Sequence, residues 1–378
     1  MPAVGQSLNV AVLGAGGTIA PAIVRDLADS EEVSRMMLLD LDAARAAAVA
    51  ERHGAGKARA EAVDARSVSA LAARLQAIDV LVNTASYRVN LEAMRACLAA
   101  GTSYLDLGGL YWMTRSQLEL GSEFERAGLL ALLGIGSSPG KTNLMARQAV
   151  GELGEASGPL ETLEVAAAGR DPLADPGDGR LHAPYALQTL LDELTLSPVV
   201  LRAGQASEIE PLTPGGTIDF GEPIGAAETI YTLHSELATF GESFGCRSAS
   251  FRLSLAPSLL ARLGELVGAS PEQIALAGSQ AVAPSAETLS VHLVSARTAG
   301  GESVTVRAVT EPHFGLGGSI VSTAAPAAAS VRLLARGSLR ATGAHPPERC
   351  IEPQEMFAEL ERRGCSFSVS RADARATS

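Results

Sequence analysis

The sequence predicts an α/β fold, in which a doubly wound parallel sheet is combined with an inserted α+β domain that carries an antiparallel sheet. Between Leu8 and Leu133, short apolar runs alternate with helical stretches, and this alternation is typical of a parallel sheet. A glycine cluster separates the first apolar run from the first helix. After about Val150 the pattern changes, and residues 287–309 alternate apolar and polar side chains around a glycine turn, which indicates a hairpin.

The first strand and turn read LNVAVLGAGGTIA, ending at Ala20. The apolar run stops at Gly14, Gly16 and Gly17, and a helical pattern then begins. Glycines let a backbone approach a pyrophosphate, whose charge is held by the N–H groups and the positive dipole end of the helix. A strict G-x-G-x-x-G pattern needs a third glycine at Ile19, so we align the turn on Gly14, Gly17 and Ala20. The order predicts a dinucleotide site, whereas the alternative is a plain strand-to-helix connection.

A second apolar run ends in Asp40, which follows Gly14 by 26 residues (40 − 14 = 26). An acid about 20 residues after the first glycine, at the tip of the second strand, accepts hydrogen bonds from an adenosine ribose. The alternative is that Asp40 only caps the following helix. Asp40 and Asp42 favour a free ribose 2′-hydroxyl and therefore NAD, because they repel a 2′-phosphate. Arg45 is the nearby group that favours NADP, so NADP stays a second option.

Four further strands are predicted before residue 134, at residues 58–63, 78–82, 104–107 and 129–133. Ligands of parallel sheets bind at the carboxyl ends of the strands, so the residues at these ends are the candidate site. The predicted cofactor-binding residues are Gly14, Ala15, Gly16, Gly17, Thr18, Ile19, Asp40, Asp64, Asn83 and Thr84.

Composition restricts the class of partner. A net charge of −12 and an isoelectric point near 5.1 argue against nucleic acid and anionic membranes. No apolar run reaches transmembrane length and the N-terminus lacks a signal-peptide pattern, so we expect a cytoplasmic protein. The four cysteines and six histidines are scattered without metal-ligand spacing, and we expect no metal centre. A mechanism that needs a lysine base has only Lys57 and Lys141 to use.

Seven motifs are spread along the chain: VLGAGG (12–17), VDA (63–65), VLVNTASYRVN (80–90), AAGTSYLDLGG (99–109), GIGSSPGKTNL (134–144), LHSELAT (233–239) and PPERCIEPQEMFAELERRG (346–364). With this spacing the sequence resembles the saccharopine dehydrogenase-like oxidoreductases, and within them most closely the lysine 6-dehydrogenase branch. The resemblance covers nearly the whole chain and is strongest up to residue 150.

The resemblance implies a division of the chain into three segments. Residues 1–143 are expected to form a dinucleotide-binding Rossmann domain, and residues 144–325 an α+β domain for substrate binding and dimerisation. Residues 326–378 are expected to rejoin the first domain. The family also implies hydride transfer between NAD, or NADP, and a carbon that bears an amino or imino nitrogen. The implied partners are a small-molecule amino-acid substrate and a second copy of the chain in a homodimer.

The chain departs from the family pattern near the expected chemistry. Ser138 stands where saccharopine reductases have an acid and Ala168 near their cysteine, and both departures count against saccharopine as substrate. The family tyrosine after the fourth strand is kept as Tyr87, and Lys141 stands where a neutral residue is expected. Tyr87 and Lys141 are therefore the predicted catalytic residues. The predicted substrate residues are Asp106, Gly108, Gly109, Ser138, Pro139, Gly140, His182 and Tyr185.

Structural roles compete with these functional ones. Tyr87 either relays a proton, orients the substrate or is a half-buried aromatic. Asp106 either binds a substrate ammonium or caps a loop. Three roles are open for Lys141. They are a base whose pKa is lowered by burial and by the helix N-terminus, a carboxylate clamp, and a solvent-facing cation. His234 and Glu236 either take part in catalysis or form a buried hydrogen-bonded pair, which we favour.

Three functions are consistent with the sequence. The first is an NAD-dependent dehydrogenase that deaminates or cyclises a basic amino acid. The second is an imine reductase that runs in the opposite direction, in polyamine, opine or secondary-metabolite synthesis. The third is a non-catalytic dinucleotide-binding regulator, which would not need Tyr87, Asp106 or the Pro139–Gly140 turn.

Overall fold

A computed structural model describes residues 5–154, 158–173, 181–182, 187–282 and 284–372 of the chain. The chain forms two compact domains. The first contains Met1–Asn143 and Thr323–Leu360, and the second contains Leu144–Ser322 and Glu361–Ser378. The predicted substrate residue Tyr185 lies outside these described residues.

The sheet of the first domain has seven parallel strands in the order β15-β6-β5-β4-β1-β2-β3. This is the doubly wound order, extended at one edge by a strand from late in the chain, and it confirms the predicted fold class. The strands are β1 (Leu8–Leu13), β2 (Val33–Asp40), β3 (Ala58–Ala62), β4 (Val80–Asn83), β5 (Ser103–Asp106), β6 (Leu130–Leu132) and β15 (Gly343–His345).

Helices connect these strands, and their ends follow the capping residues in the sequence. Asp42 caps one helix by accepting the backbone N–H of Ala44 at 2.9 Å, and Gly101 ends another with a φ of 74°. The helices are α1 (Ala20–Ala28), α2 (Ala43–His53), α3 (Val68–Arg74), α4 (Asn90–Ala100), α5 (Leu110–Leu118), α6 (Gly121–Arg126) and α13 (Pro353–Glu361). Two more helices, α7 (Lys141–Leu153) and α12 (Gly318–Arg336), each cross the boundary between the two domains.

Helix α12 is held to the first domain by arginine ion pairs. Arg332 and Asp26 of α1 are both 5% exposed at their side chains and form a buried ion pair, and Arg332 also donates to the Asp26 carbonyl at 2.9 Å. Arg336 bridges Glu32 and Glu359. Within the described part of the chain, α12 is the one helix long and apolar enough to span a membrane, but 89% of that apolar window is buried, as in the core helix of a folded domain.

The second domain contains a mixed nine-stranded sheet. Its main path runs β10-β11-β12-β7-β13-β14-β16, and the β8–β9 hairpin joins it through β12. The strands are β7 (Leu160–Arg170), β8 (Val199–Arg202), β9 (Gln205–Glu208), β10 (Pro214–Asp219), β11 (Ala226–Tyr231), β12 (Ser248–Ser254), β13 (Leu289–Thr298), β14 (Ser303–Thr310) and β16 (Cys365–Ala372). The helices are α8 (Leu187–Thr195), α9 (Phe240–Phe244), α10 (Pro257–Gly264) and α11 (Pro271–Gln280).

The predicted hairpin is confirmed as β13 and β14, whereas two other expectations are corrected. The sheet is not purely antiparallel, because β12 and β7 pair in parallel. The segment 326–378 was assigned as a whole to the first domain, but β16 pairs antiparallel with β14 over its full length. This backbone ladder places Glu361–Ser378 in the second domain.

Candidate active site

The glycine turn after β1 has no room for side chains. Gly14 has a φ of +76°, and a Cβ there would lie 2.6 Å from the backbone nitrogen of Ala85. A Cβ at Gly16 would lie 2.8 Å from the Cβ of Arg45. The turn is closed by the N–H of Gly17, which donates to the Gly14 carbonyl at 2.9 Å. This bare backbone, placed before the N-terminus of α1, fits the close approach of a pyrophosphate.

The acid at the tip of β2 is tied to this turn. Asp40 accepts the backbone N–H of Gly16 at 2.8 Å and that of Asp42 at 3.0 Å, one on each carboxylate oxygen. The Arg45 guanidinium donates to the Gly16 carbonyl, so a cation lies next to the same acid. Sequence reasoning named Arg45 only as a group that favours NADP. The structure therefore places opposite charges side by side at the glycine turn.

Beside Asp40 lies a cavity of about 360 Å³ whose lining is mostly apolar, as suits a flat adenine ring. The predicted cofactor residue Asp64 is part of this lining, and its carboxylate forms a bidentate pair with Arg66, at 3.0 Å from Nε and 2.8 Å from Nη2. The Arg66 hydrogen bond lowers the pKa of Asp64. The lining residues are Leu41, Ala62, Val63, Asp64, Ala70, Ala73 and Arg74.

We expect Asp40 and Arg45 to set the choice of cofactor in opposite directions. Asp40→Ala should weaken NADH binding more than NADPH binding, because the carboxylate is placed to accept the ribose 2′-hydroxyl. Arg45→Ala should weaken NADPH about tenfold more than NADH, because it removes the cation nearest a 2′-phosphate. Fluorescence titration of both reduced cofactors measures the ratio.

The matched control for this comparison is Arg52→Ala, an exposed arginine in the last turn of the same helix. This variant should leave the ratio of the two dissociation constants unchanged. Equal effects of Asp40→Ala and Arg45→Ala on both cofactors would contradict the assignment. Tighter binding of NADPH than NADH by the unmodified protein would contradict the argument for NAD from Asp40.

Two predicted cofactor residues use their side chains inside the domain. Asn83 is 2% exposed, donates to Asn90 at 2.9 Å and to the Tyr104 hydroxyl at 3.1 Å, and accepts the backbone N–H of Ala85 at 3.0 Å. Thr84 donates to the Leu13 carbonyl at 2.7 Å. These contacts fix the carboxyl ends of β1 and β4. A cofactor contact from either residue would therefore come from its backbone.

Asp106, at the end of β5, is enclosed by the domain and 1% exposed. Its two oxygens accept five hydrogen bonds, and the carboxylate thereby organises the surrounding loops. Of the two roles predicted for Asp106, these contacts favour the loop cap over the binding of a substrate ammonium. Burial raises its pKa, and these hydrogen bonds offset part of that effect. The donors are Gly134 N (2.7 Å), Gly108 N (3.0 Å), Gln117 Nε2 (2.6 Å), Tyr104 OH (3.0 Å) and Asn90 Nδ2 (3.1 Å).

The loop after β6 is a compact turn. Gly136 donates to the Pro139 carbonyl at 2.8 Å and accepts the N–H of Lys141 at 2.9 Å. Gly140 has a φ of +121°, and a Cβ there would overlap the backbone of Gly136. Among the described residues, the buried Ser138 hydroxyl oxygen finds no hydrogen-bond partner. The predicted substrate residues Ser138, Pro139 and Gly140 thus lie together, with a spare buried hydroxyl.

Lys141 is the first residue of α7 and is only 1% exposed. The solvent-facing alternative is therefore wrong. The start of this helix is fixed by Asn143, which accepts the N–H of Gly140 at 2.8 Å and donates to Glu348 at 2.8 Å. A buried lysine at the carboxyl edge of the sheet leaves the roles of base and carboxylate clamp in place.

Tyr87 is half-buried in a single 3₁₀ turn, Tyr87–Val89, after β4. The Arg88 guanidinium lies 5.0 Å from the centroid of its ring, a distance at which cation and ring attract. Sequence reasoning singled out Tyr87 and missed Arg88, although the two are adjacent in the family motif. Tyr87 keeps its predicted place at a strand end, next to a positive charge.

In the second domain, the predicted substrate residue His182 forms an isolated β-bridge with Val282. A separate buried cluster surrounds His234. The His234 ring stacks on Phe251 with 3.5 Å between centroids, and Nδ1 lies 3.3 Å from Glu236. Nε2 lies 3.9 Å from Glu193. Burial lowers the pKa of His234, but the two carboxylates outweigh it and the net shift is upward. This geometry is that of the buried pair favoured from sequence.

Within the described ranges, no group of three or more His, Cys, Asp or Glu side chains is arranged to hold a metal ion. The predicted residues of the first domain are brought to one edge of its sheet, where β1, β2, β4, β5 and β6 end. The arrangement is that of a dinucleotide-binding domain with polar groups beside the cofactor position.

Comparison with known proteins agrees with this class. The model of the saccharopine dehydrogenase NADP-binding domain matches residues 10–132. A carboxyaminopropylagmatine dehydrogenase from Synechocystis is 31% identical over 150 residues, which are 38% of this chain and 37% of that protein. The match thus spans well under half of the curated relative.

Two solved structures share the fold over nearly the whole chain. Saccharopine dehydrogenase (L-Glu forming) from Saccharomyces cerevisiae has a TM-score of 0.73 at 16% identity, covering 97% of this chain and 100% of its own. Homospermidine synthase from Legionella pneumophila, solved with NAD, has a TM-score of 0.71 at 11% identity, covering 97% and 93%. At these identities the likeness establishes the fold.

The first domain is thus an NAD(P)-binding domain of the saccharopine dehydrogenase type. Over residues 10–132, this match agrees with the resemblance to the saccharopine dehydrogenase-like family that the sequence motifs indicated. Membership of the lysine 6-dehydrogenase branch and the preference for NAD over NADP stay predictions.

Proposed function

We propose that this protein is an NAD(P)-dependent oxidoreductase that acts on the C–N bond of a basic amino acid. The observation that carries the proposal is the burial of Lys141 at the carboxyl end of β6, the edge of the sheet that also holds the glycine turn. Ligands of parallel sheets bind at this edge, so the amine is placed where it can meet a bound substrate.

The chemistry needs a proton acceptor. Dehydrogenation of an amine removes a hydride from carbon and a proton from nitrogen, and the C–N bond becomes a C=N bond. A bound nicotinamide supplies the acceptor for the hydride. Lys141 Nζ takes the proton, and Tyr87 orients the nitrogen through its hydroxyl. Ser138, whose hydroxyl is buried and has no partner in the described structure, donates a hydrogen bond to the substrate or the carboxamide of the cofactor.

An imine reductase is the second candidate, because it uses the same groups in the reverse direction. In that case the protonated Lys141 gives its proton to the nitrogen as hydride reaches the carbon. The relative that favours this candidate is the Synechocystis protein, whose name indicates a polyamine-related substrate. We also propose a homodimer, as the family resemblance implies.

A substrate screen separates the two candidates. The purified protein is mixed with NAD or NADP and with lysine, ornithine or arginine, and reduced nicotinamide is followed by absorbance. In the reverse assay, NADH or NADPH is mixed with an amine such as agmatine or putrescine and an aldehyde. We expect amino-acid oxidation in the first assay. Activity only in the second assay selects the imine reductase, and no activity in either contradicts an enzymatic role on these compounds.

A further inference from the structure

The turn that ends in Lys141 is held by a buried side chain from far along the chain. This turn follows β6, spans residues 134–141, and is called the β6 turn below. Asn143 accepts the backbone N–H of Gly140 through Oδ1 at 2.8 Å and donates through Nδ2 to Oε2 of Glu348 at 2.8 Å. Asn143 is 2% exposed and Glu348 is 5% exposed. A carboxylate 205 residues after Asn143 is thus linked, through one amide, to the residue that precedes Lys141.

The two ends of the Asn143 amide have different tasks. The carbonyl oxygen accepts and the NH2 group donates, so an exchange of the two ends would place an NH2 group against the Gly140 N–H. Glu348 favours the orientation that serves Gly140, because its oxygen needs a donor. The acid therefore acts on the β6 turn without touching it.

Gly140 depends on such a contact for its conformation. Its φ is +121°, and a Cβ there would lie 2.4 Å from the Gly136 carbonyl oxygen. Glycine has the widest conformational freedom of all residues, so hydrogen bonds must hold the peptide in this geometry. The next N–H, that of Lys141, donates to the same Gly136 carbonyl at 2.9 Å. The Gly140 peptide thus sets the direction in which the chain enters α7.

The β6 turn is tied at two other points within the first domain. At its beginning, the N–H of Gly134 donates to Asp106 at 2.7 Å. In its middle, the hydroxyl oxygens of Ser137 and Thr323 lie 3.1 Å apart. The contact of Asn143 with Glu348 is the tie at the end of the turn, where Lys141 lies. Thr323 and Glu348 both belong to the late segment that returns to the first domain.

We propose that Glu348 is a positioning residue, which fixes the Gly140 peptide through Asn143 and thereby places Lys141. The inference rests on the proposed function, in which Lys141 carries the proton. A displacement of about 1 Å near the reacting atoms costs about 10²-fold in rate, and supporting hydrogen bonds prevent it. Glu348 acts through its acceptor oxygen, so a glutamine in its place serves the same purpose and an alanine does not.

Steady-state kinetics on the substrate found in the screen test this role. Glu348→Ala and Asn143→Ala should each lower kcat by about tenfold or more and leave KM within about threefold, because the substrate still binds while the base is displaced. Glu348→Gln should keep kcat within about threefold, because its amide oxygen accepts the same hydrogen bond. Equal losses in Glu348→Gln and Glu348→Ala would contradict a role through the acceptor oxygen.

A reversal of donor and acceptor gives a sharper test. Asn143→Asp alone keeps the acceptor for Gly140 but sets a second carboxylate against Glu348, so kcat should fall by about tenfold or more. Asn143→Asp combined with Glu348→Gln restores the contact in the opposite sense, because the glutamine amide donates to the new carboxylate. The double variant should recover kcat to within about threefold of the unmodified protein. A double variant as slow as Asn143→Asp would overturn the inference.

Hydrogen exchange reports the same contact without turnover. Deuterium uptake by residues 136–144, followed by mass spectrometry, should show one amide that exchanges about tenfold faster or more in Asn143→Ala and in Glu348→Ala. The double variant should restore its protection. Fluorescence titration with NADH should give a dissociation constant within about threefold in every variant, which shows that the domain stays folded.

The matched control is Asp26→Asn. This change weakens another buried contact of the late segment with the first domain, the ion pair of Asp26 and Arg332, whose side chains are both 5% exposed. It should lower the free energy of unfolding and leave both kcat and the exchange of residues 136–144 within about twofold. A loss of kcat equal to that of Glu348→Ala would mean that general destabilisation explains both variants.

The outcomes separate this inference from the proposed function. Faster exchange in Asn143→Ala and Glu348→Ala, with no hydride transfer by the unmodified protein, would support the tie and overturn the amine oxidoreductase. Hydride transfer that Asn143→Ala and Glu348→Ala leave within about twofold would overturn the positioning role and keep the oxidoreductase. Unchanged exchange together with no turnover would overturn both.

Discussion

Lys141→Met should lower kcat by about 10²- to 10⁴-fold with little change in KM, the loss typical of a missing general base. Methionine has nearly the length of lysine and no charge, so the buried site stays filled. The 1% exposure of Lys141 makes this variant informative, because a solvent-facing lysine would give wild-type kinetics. Steady-state kinetics on the substrate found in the screen provide the measurement.

Two further variants separate the base from a carboxylate clamp. Lys141→Arg keeps a permanent cation, so it preserves a clamp but cannot accept a proton near neutral pH. Loss of kcat in both Lys141→Met and Lys141→Arg supports the base. A raised KM in Lys141→Met with activity retained in Lys141→Arg supports the clamp instead.

The control for Lys141 is the other lysine of the chain. Lys57 donates to the Ser30 carbonyl at 2.7 Å and lies at the start of β3, away from the strand ends that form the site. Lys57→Met should leave kcat and KM close to those of the unmodified protein. If Lys141→Met shows wild-type kinetics as well, the base assignment is contradicted and Tyr87 becomes the residue to test.

Features of the site that depend on neighbouring residues could be predicted from the sequence. The strand, the glycine turn and the first helix are set by residues within a single stretch. The turn needs glycine at position 14, where φ is +76° and the backbone of Ala85 lies at contact distance. The alternation of apolar runs predicted the positions of the strands along the chain in the same way, since each run is short and bounded by polar or glycine residues.

Other features depend on contacts between distant residues, and the sequence could not supply them. The burial of Lys141 is one, because a lysine at a helix start is usually solvated. The place of β16 is another: its alternating pattern fits any sheet edge, and only the pairing with β14 assigns it.

Asp106 combines a feature that could be predicted from the sequence with one that could not. Its place at a strand end could be predicted, whereas its role could not. The five donors that surround it come from as far as Asn90 and Gly134, and together they leave no face for a substrate. A buried carboxylate of this kind connects the ends of β5 and β6 and holds the loop that begins at Gly134.

Asp106→Ala should reduce the free energy of unfolding by about 4 kcal/mol, because several buried donors lose their acceptor at once and each costs about 1–3 kcal/mol. Asp64→Ala is the control, an acid with a 40% exposed side chain that follows the edge strand β3, and its effect should be much smaller. Denaturant unfolding followed by circular dichroism measures both. An effect of Asp106→Ala no larger than that of Asp64→Ala would contradict the organising role.

Asp106→Asn tests the same carboxylate through pH and is less disruptive. Burial raises the pKa of Asp106 above the usual value of 3.8, so the folded protein binds this proton more readily than the unfolded chain. The contribution of Asp106 to stability is therefore fully present below pH 3.8 and is lost as the pH rises through the raised pKa. The difference in unfolding free energy between the unmodified protein and Asp106→Asn should accordingly grow as the pH falls through that interval and level off below it. A difference that shrinks with falling pH would mean that the hydrogen bonds outweigh burial and that the native carboxylate is held ionised.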